Sequence, residues 1–529
     1  MIADAVPHVC GMPGMSLSEA SHGSGGIAGS AVDQESSAPS VRNVRKTTLQ
    51  AAMGLACLIV VVFFPAVGFE FIDYDVTGQV VENQWIRGLT RENVQHIFTS
   101  RCVTSYYPVR TLSFALDYQV WGLWAGGFKL TNGLIHLANT LAVFWLILRL
   151  FAHSTTDSTN EAQPRYDVLL AGFCAGVFAA HPIVVEPVVW VAGREELLMV
   201  LGALSCFHFH LTARRLDEVP GRRARAAICD VAAAVCCVAA CLSNAVGAVI
   251  PLMVTAWDLL MLARPRRWKV FRGTAALWIA SMTTIAIKRV GESGLAAAEP
   301  GFFSSGRLFI VAKVYWLNLQ SLIWPSGLAP CRRRIEMGSF LDPEFLLGVG
   351  LVILTGIVLW RLRRHKLALF GLLWFGIALA PVAQLMAHHV HRADRFLYLP
   401  LAGLVLAVAM GLRPLGRYLK RPLFRIGAPM IAVWSLMLLG VLAAGQVQTW
   451  RNPFSMWENC LRVDPDNALA HYALGYNLAH RGHYDEAMRH RQEQVSLDFN
   501  DPEAMRFAAV TAIKGSDADA PNYALAVQL

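Results

Sequence analysis

Apolar and polar positions along this chain segregate at the scale of whole segments. Apolar runs of about 16–23 residues recur near 47–69, 130–151, 166–181, 196–213, 227–243, 245–263, 273–291, 343–360, 367–387, 396–412 and 426–446. Each is close to the ~20 residues with which a helix crosses the ~30 Å hydrocarbon layer of a bilayer. Basic groups recur between them, at Arg42 to Lys46, Arg214 to Arg225, Arg264 to Arg272, Arg361 to Lys366 and Arg413 to Arg425. Such groups are retained on the cytoplasmic side and set orientation. The pattern predicts an all-α, multi-pass protein of the cytoplasmic (inner) membrane with about eleven transmembrane helices, its N-terminus cytoplasmic and its C-terminal region periplasmic.

A further apolar run at 307–327 disturbs that count, because counting from the two chain ends leaves both of its ends outside. It carries Lys313, Asn318 and Gln320 and stops at Trp324-Pro325. A re-entrant segment, or one lying against an outer cavity, fits these features. Residues 1–45 are rich in Ser, Gly and Ala and read as a disordered cytoplasmic tail. The membrane domain is then 46–446, with its first outer loop at 70–128.

Composition narrows the class further. A hydrophobic fraction of 55% with 16% charged residues and a mean hydropathy of +0.43 excludes a soluble globular chain. The net charge of +9 comes largely from the short inside loops, and no basic face interleaved with aromatics points to nucleic acid. Of eleven cysteines, Cys57, Cys174, Cys206, Cys229, Cys236, Cys237 and Cys241 fall within apolar runs as small hydrophobes. None has metal-ligand spacing, while Cys102, Cys331 and Cys460 lie on the outer side, where pairing is chemically open.

The polar residues left over are clustered. Asp73 and Asp75 follow directly on the first span, His181 to Glu196 sits between the third and fourth, and His388 to Arg395 between two later ones. All three groups open on the same outer face. A carboxylate pair at a membrane surface is a candidate for proton transfer on a lipid-linked substrate. In an extended strip the Asp73 and Asp75 side chains would diverge. His181 beside Pro182 fits either a helix-end cap or a substrate contact, and Arg194 either a headgroup contact or a ligand contact.

Taken in order, Phe71-Ile72-Asp73-Tyr74-Asp75, Glu82-Asn83, Tyr107-Pro108 with Leu112-Ser113, His181-Pro182 with Glu186, Trp190, Arg194 and Leu198, Trp324-Pro325-Ser326-Gly327-Leu328, and Ala393-Asp394-Arg395 with Tyr398-Leu399-Pro400 carry a resemblance. From about 60 to 500 the chain resembles the tetratricopeptide-repeat transmembrane O-mannosyltransferases and their bacterial relatives. The resemblance implies a GT-C type fold and transfer of a hexose such as mannose from a polyprenyl-phosphate-linked donor to a protein or glycan acceptor on the periplasmic side. It implies Asp75 as the base with Asp73 as helper, Arg194 and Arg395 on the donor phosphate, and His181, Glu186 and Asp394 as substrate contacts. No metal ligand is implied, and the need for a divalent metal stays open. Adjacent aspartates are usual in such relatives, and here Val76 follows Asp75; Val184, Glu196 and Asn244 also depart from the common pattern. A catalytically silent scaffold is one alternative, and a transporter of lipid-linked saccharides, which calls for inverted repeats that are not evident, is another.

Beyond Gln446 the chain becomes polar-amphipathic. Leu474, Gly475, Leu478, Gly482, Tyr484 and Ala487 fall at the packing positions of a 34-residue helix-turn-helix repeat. The reading is a tetratricopeptide-like unit at 447–514, with Trp457 to Asp464 as a preceding half-repeat, a truncated cap from Pro502, and a disordered tail at 515–529. One and a half repeats cannot enclose a core, so the unit is expected to pack on the membrane domain or a partner, and is placed to hold a peptide acceptor.

Overall fold

A computed structural model describes residues 38–102, 106–153, 163–261, 267–292, 305–335, 338–385, 390–418 and 421–497. The first 37 residues of the leading tail, the cap from Pro502 and the 515–529 tail lie outside the described residues. The described chain is helical. Helix α1 (Ala38–Phe63) leads to the acidic stretch, and α2 (Arg91–Thr99) and α3 (Pro108–Trp121) structure the loop that follows. Then come α4 (Ala125–His153), α5 (Gln163–Ala180), the short α6 (Val185–Val189), α7 (Arg194–Asp217), α8 (Arg223–Ser243), α9 (Ile250–Met261) and α10 (Arg267–Glu292). The chain continues through α11 (Ser305–Ile323), α12 (Pro343–Arg361), α13 (Lys366–Leu379), α14 (Tyr398–Leu412) and α15 (Pro422–Gln448) to α16 (Pro453–Val463), α17 (Ala468–His480) and α18 (Tyr484–Leu497).

Every apolar run has its helix, but the helices differ in reach. Seven of those described are long and apolar enough to cross a bilayer, and α5 with α6, bent by 51°, make an eighth if the pair is one span. Helices α9 and α13 are shorter apolar elements. The 367–387 run is interrupted: α13 ends at Leu379 and the chain turns through Pro381–Leu385, with Gln384 at φ +64°. The 307–327 run is a continuous helix rather than a re-entrant loop. Its Phe309 stacks on Phe345, a Cβ on Gly348 would strike the Ala312 carbonyl, and Tyr315 bonds Thr355 at 2.9 Å, so α11 and α12 lie side by side in the same direction.

Small residues set the closest helix approach. Helices α7 and α8 pack along their length, and a Cβ on Gly202 would lie 2.8 Å from the Ala240 methyl and 2.9 Å from the Cys236 carbonyl oxygen. Cys206, Cys237 and Cys241 are buried in these two helices, and the described cysteines are free thiols. Several polar groups inside the bundle are paired with one another, which lowers the cost of burying them away from water. His136 of α4 bonds the Tyr398 hydroxyl at 2.7 Å and the Ala179 carbonyl at 3.0 Å, and Asn139 donates to the same hydroxyl at 3.2 Å. That network ties α4, α5 and α14 together.

The C-terminal helices rest on the membrane domain. Asn452 caps α16 reciprocally with Ser455, and Gly475 of α17 faces Ala487 and Arg491 of α18 closely enough that a Cβ would lie 3.2 Å from the Ala487 carbonyl oxygen. Arg491 is buried over the Tyr472 ring at 4.1 Å and donates to Gln494. Asn459 and Gln446 both donate to the Leu328 carbonyl, at 2.9 and 3.2 Å, and Asn467 reaches Cys331. Replacing Gly202 by Val should cost about 1–3 kcal/mol through overpacking of the α7–α8 seam, read as a lowered unfolding temperature in detergent.

Candidate active site

The acidic stretch is a turn, not an extended strip. Asp75 has φ +63°, in the left-handed region that a residue with a Cβ seldom adopts, and Thr77–Val81 follows as a wide helical turn. What fixes it is the residue in the middle. Tyr74 stacks on Trp190 with ring centres 5.2 Å apart, meets Trp457 edge-on at 5.4 Å, and its carbonyl accepts the Trp190 indole N–H at 2.9 Å. Burial pushes the Tyr74 phenol well above its ordinary value, with the nearby Arg395 guanidinium opposing the shift. The two carboxylates therefore part company. Asp73 accepts from Asn477 of α17 at 2.8 Å, whereas Asp75 is exposed and its side chain bonds none of the described residues.

Trp190 also meets an ion pair. The Arg395 guanidinium lies 5.1 Å from the Trp190 ring centre and pairs with Glu186, whose second oxygen accepts the Arg395 backbone N–H at 2.9 Å. Both residues are buried. The neighbouring Asp394 turns away and accepts from Arg332 at 2.8 Å. The Asp73–Asp75 turn, the Glu186 helix and the Asp394–Arg395 turn thus meet at one end of the bundle, as the clustering of their polar residues suggested.

Two of the predicted contacts have structural occupations. His181 donates from Nε2 to the Leu322 carbonyl at 3.0 Å and accepts the Ile183 N–H on Nδ1 at 3.3 Å, so both ring nitrogens are used in capping one turn and fastening the end of α11. Arg194 is fully buried, with its guanidinium against Asp117, Nε donating to Asn132 at 2.7 Å and Nη2 to the Phe128 carbonyl at 2.8 Å. It lies over the Phe114 ring at 4.8 Å. Burial raises the Asp117 carboxyl while the Arg194 guanidinium opposes that rise. Through these contacts Arg194 ties α7 to α3 and α4 and, expected on a donor phosphate, has its guanidinium taken up inside the fold. Its position follows from the turn before it, where a Cβ on Gly193 would lie 2.7 Å from the Pro187 backbone.

The structure adds residues that sequence reasoning passed over. Asn132 joins the Arg194 cage to the site by donating to the Trp190 carbonyl at 3.1 Å. One helical turn beyond Asp75, a cavity of about 280 Å³ opens in the loop region, walled by Glu82, Asn83, Trp85, His96, Arg101 and Tyr107. Trp85 and His96 are stacked there with ring centres 3.6 Å apart. Glu82-Asn83 and Tyr107 were visible as motif fragments, but nothing in their spacing joined them into a wall. Among the described residues, no group of three or more His, Cys, Asp or Glu is placed to hold a metal ion.

The fold and this end of the bundle define a polytopic α-helical membrane protein with a carboxylate turn at one surface. No family model matches the chain, and no solved structure matches it. Several curated proteins are similar over most of it. Protein O-mannosyl-transferase F38B6.6 of Caenorhabditis elegans is 23% identical over 468 residues, 84% of this chain and 62% of its own. Protein O-mannosyl-transferase Tmtc3 of Drosophila melanogaster is 24% identical over 461 residues, 75% of this chain and 49% of its own. Human protein O-mannosyl-transferase TMTC4 is 23% identical over 433 residues, 73% of this chain and 57% of its own. The chain is thus similar over most of its length to proteins named O-mannosyl-transferases, and it spans about half to three-fifths of the length of these curated proteins. Replacing Asp117 by Ala should destabilise the fold by about 3–5 kcal/mol, because it leaves the Arg194 charge buried and unpaired; a lowered unfolding temperature and loss of monodisperse protein are the readouts.

Proposed function

We propose that the protein is a membrane glycosyltransferase of GT-C type that moves a hexose from a polyprenyl-phosphate donor to a hydroxyl of a protein acceptor on the periplasmic side. The observation that carries this reading is Asp75. A left-handed backbone at a residue with a Cβ is unfavourable, and persists where its surroundings over-determine it. Here Tyr74, pinned between Trp190 and Trp457, supplies the constraint, and the product is a carboxylate held at the surface without a partner among the described residues. That is what a base awaiting an acceptor hydroxyl requires.

Two further features support the reading. A groove of about 550 Å³ walled by Leu252, Leu319, Leu354, Val358, Leu373 and Ile377 is almost wholly apolar and suits a lipid chain. It includes the face of α11 next to Leu322, the residue that His181 fastens at the site end. The similarity to proteins named O-mannosyl-transferases favours mannose and a protein acceptor, and the α17–α18 hairpin, in contact with Asp73 through Asn477, is placed to present one.

Membranes containing the protein, given labelled polyprenyl-phosphate sugars and a peptide acceptor, should transfer label. Asp75→Asn should slow that transfer by about 10²–10⁴-fold without changing the unfolding temperature, since the side chain makes no contact that folding uses. Equal rates in the variant and the wild type would remove Asp75 as the base, and a wild type inert toward the whole donor panel would favour a scaffold.

A further inference from the structure

Between α1 and α4 the chain borders the cavity of about 280 Å³ that opens beyond Asp75. Gly78, three residues past Asp75, is part of its lining. The backbone between them is held, because the Asp75 carbonyl accepts the Gln79 N–H at 3.2 Å and the Gln79 carbonyl accepts the Asn83 side-chain amide at 3.1 Å. The cavity and the carboxylate turn are one piece of structure.

Asn83 spends its amide on this frame. Its Nδ2 also donates to the Cys102 sulfur at 3.4 Å, and its Oδ1 accepts the Trp85 N–H at 3.0 Å. Its two neighbours in sequence do the opposite. Glu82 and Gln84 line the cavity, are exposed, and have side chains that bond none of the described residues. The wall around them is stiff: Trp85 and His96 stack on each other with ring centres 3.6 Å apart, and His96 Nδ1 lies 3.3 Å from the Ser100 hydroxyl. A fixed frame thus carries two unspent polar heads, one a carboxylate that only accepts and the other an amide that donates and accepts.

The lining selects among ligands. A free carboxylate in the wall disfavours a phosphate or another anion, and Arg101, which shares the wall, is already engaged. A metal ion would need more ligands than the described residues bring together. An apolar ligand would leave Glu82 and Gln84 covered and unmatched. A volume just under the ~300–1,000 Å³ of ordinary ligand pockets is too small for an extended peptide. A small neutral molecule with adjacent hydroxyls meets every condition, since neighbouring O–H groups match the two oxygens of one carboxylate and a further hydroxyl matches the amide.

We infer that this cavity is a hexose-binding subsite, with the Glu82 carboxylate accepting from vicinal hydroxyls and the Gln84 amide holding another. The inference deepens the transferase reading and rests on it for the role of the sugar. The chemistry recognised is a single hexose ring, whether carried by the lipid donor or already attached to the acceptor. A ring seated there lies next to the turn that carries Asp75.

The full chain in detergent is given a panel of labelled hexosyl-phosphoryl polyprenols with a peptide acceptor, and separately with the same peptide already bearing a mannose. Glu82→Gln and Gln84→Ala are the informative variants, since neither side chain holds any part of the fold and both should keep the wild-type unfolding temperature. Glu82→Gln should raise the KM of the sugar-bearing substrate by about 10- to 100-fold, and Gln84→Ala by about 3- to 10-fold, the worth of a charged and a neutral hydrogen bond. A rise confined to the donor assigns the ring to the donor; a rise confined to the mannosylated peptide assigns it to the acceptor. Bare polyprenyl phosphate, as a competitor, should inhibit both variants as it does the wild type. Inhibition that weakens in step with the donor KM overturns the sugar assignment. Both KM values within about twofold of wild type also overturn it, while wild-type transfer leaves the transferase reading standing. Wild-type protein that binds a labelled hexosyl donor through Glu82 and Gln84 yet transfers no sugar keeps the site and removes that reading.

Discussion

The arrangement at the end of the bundle depends on one buried ion pair, Glu186 with Arg395. Removing each charge from water costs several kcal/mol, and their attraction recovers that only where the remaining hydrogen-bonding capacity is also met. It is met here on both sides. One Glu186 oxygen takes the guanidinium and the other takes the Arg395 main-chain N–H, while the guanidinium plane rests against Trp190. Such a pair contributes little net stability but allows one geometry only. It joins α6 to the turn that begins α14, so two segments far apart in sequence arrive at the surface in a fixed relation. Trp190 inherits that fixity, Tyr74 inherits it from Trp190, and the backbone at Asp75 is its last recipient.

The short C-terminal helices answer to a similar constraint. Three helices alone have too little apolar surface to enclose a core, and α16–α18 meet this by using the membrane domain as a wall. The exposed pairing of Arg333 with Asp466 contributes little in water. Burial of Met456, Trp457 and Cys460, with Asn459 holding the Leu328 carbonyl, does the fastening. The unit is thereby brought against the acidic turn, and Asn477 touches Asp73.

Much of this was legible in the chain, and the limits have physical causes. Helix positions follow from the length of apolar runs, and the meeting of three polar clusters at one end followed from the basic loops that alternate between them. Roles within the clusters did not follow. Arg194 and Arg395 look alike in sequence, each at the start of a helix after a polar turn, and what separates them is a partner. Asp117 lies in a helix that apolar periodicity does not mark, and Glu186 becomes the partner of Arg395 only once α14 has folded against α6. The left-handed backbone at Asp75 was not legible because the residue carries no glycine-like signal; the aromatic clamp that imposes it comes from Trp190 and Trp457, distant in the chain. The interruption at Gln384 escaped for the same reason, being written in backbone angles and not in composition.

Trp190 has a mechanical consequence. Its indole N–H holds the Tyr74 carbonyl, one face carries the Tyr74 ring, a guanidinium lies against it, and its own carbonyl is held by Asn132. A side chain gripped at so many points has no small rotation available that disturbs only one of them. Loosening of the acidic turn, when it occurs, is therefore an all-or-none event in which the loop, the α14 entrance and the α16 contact let go together.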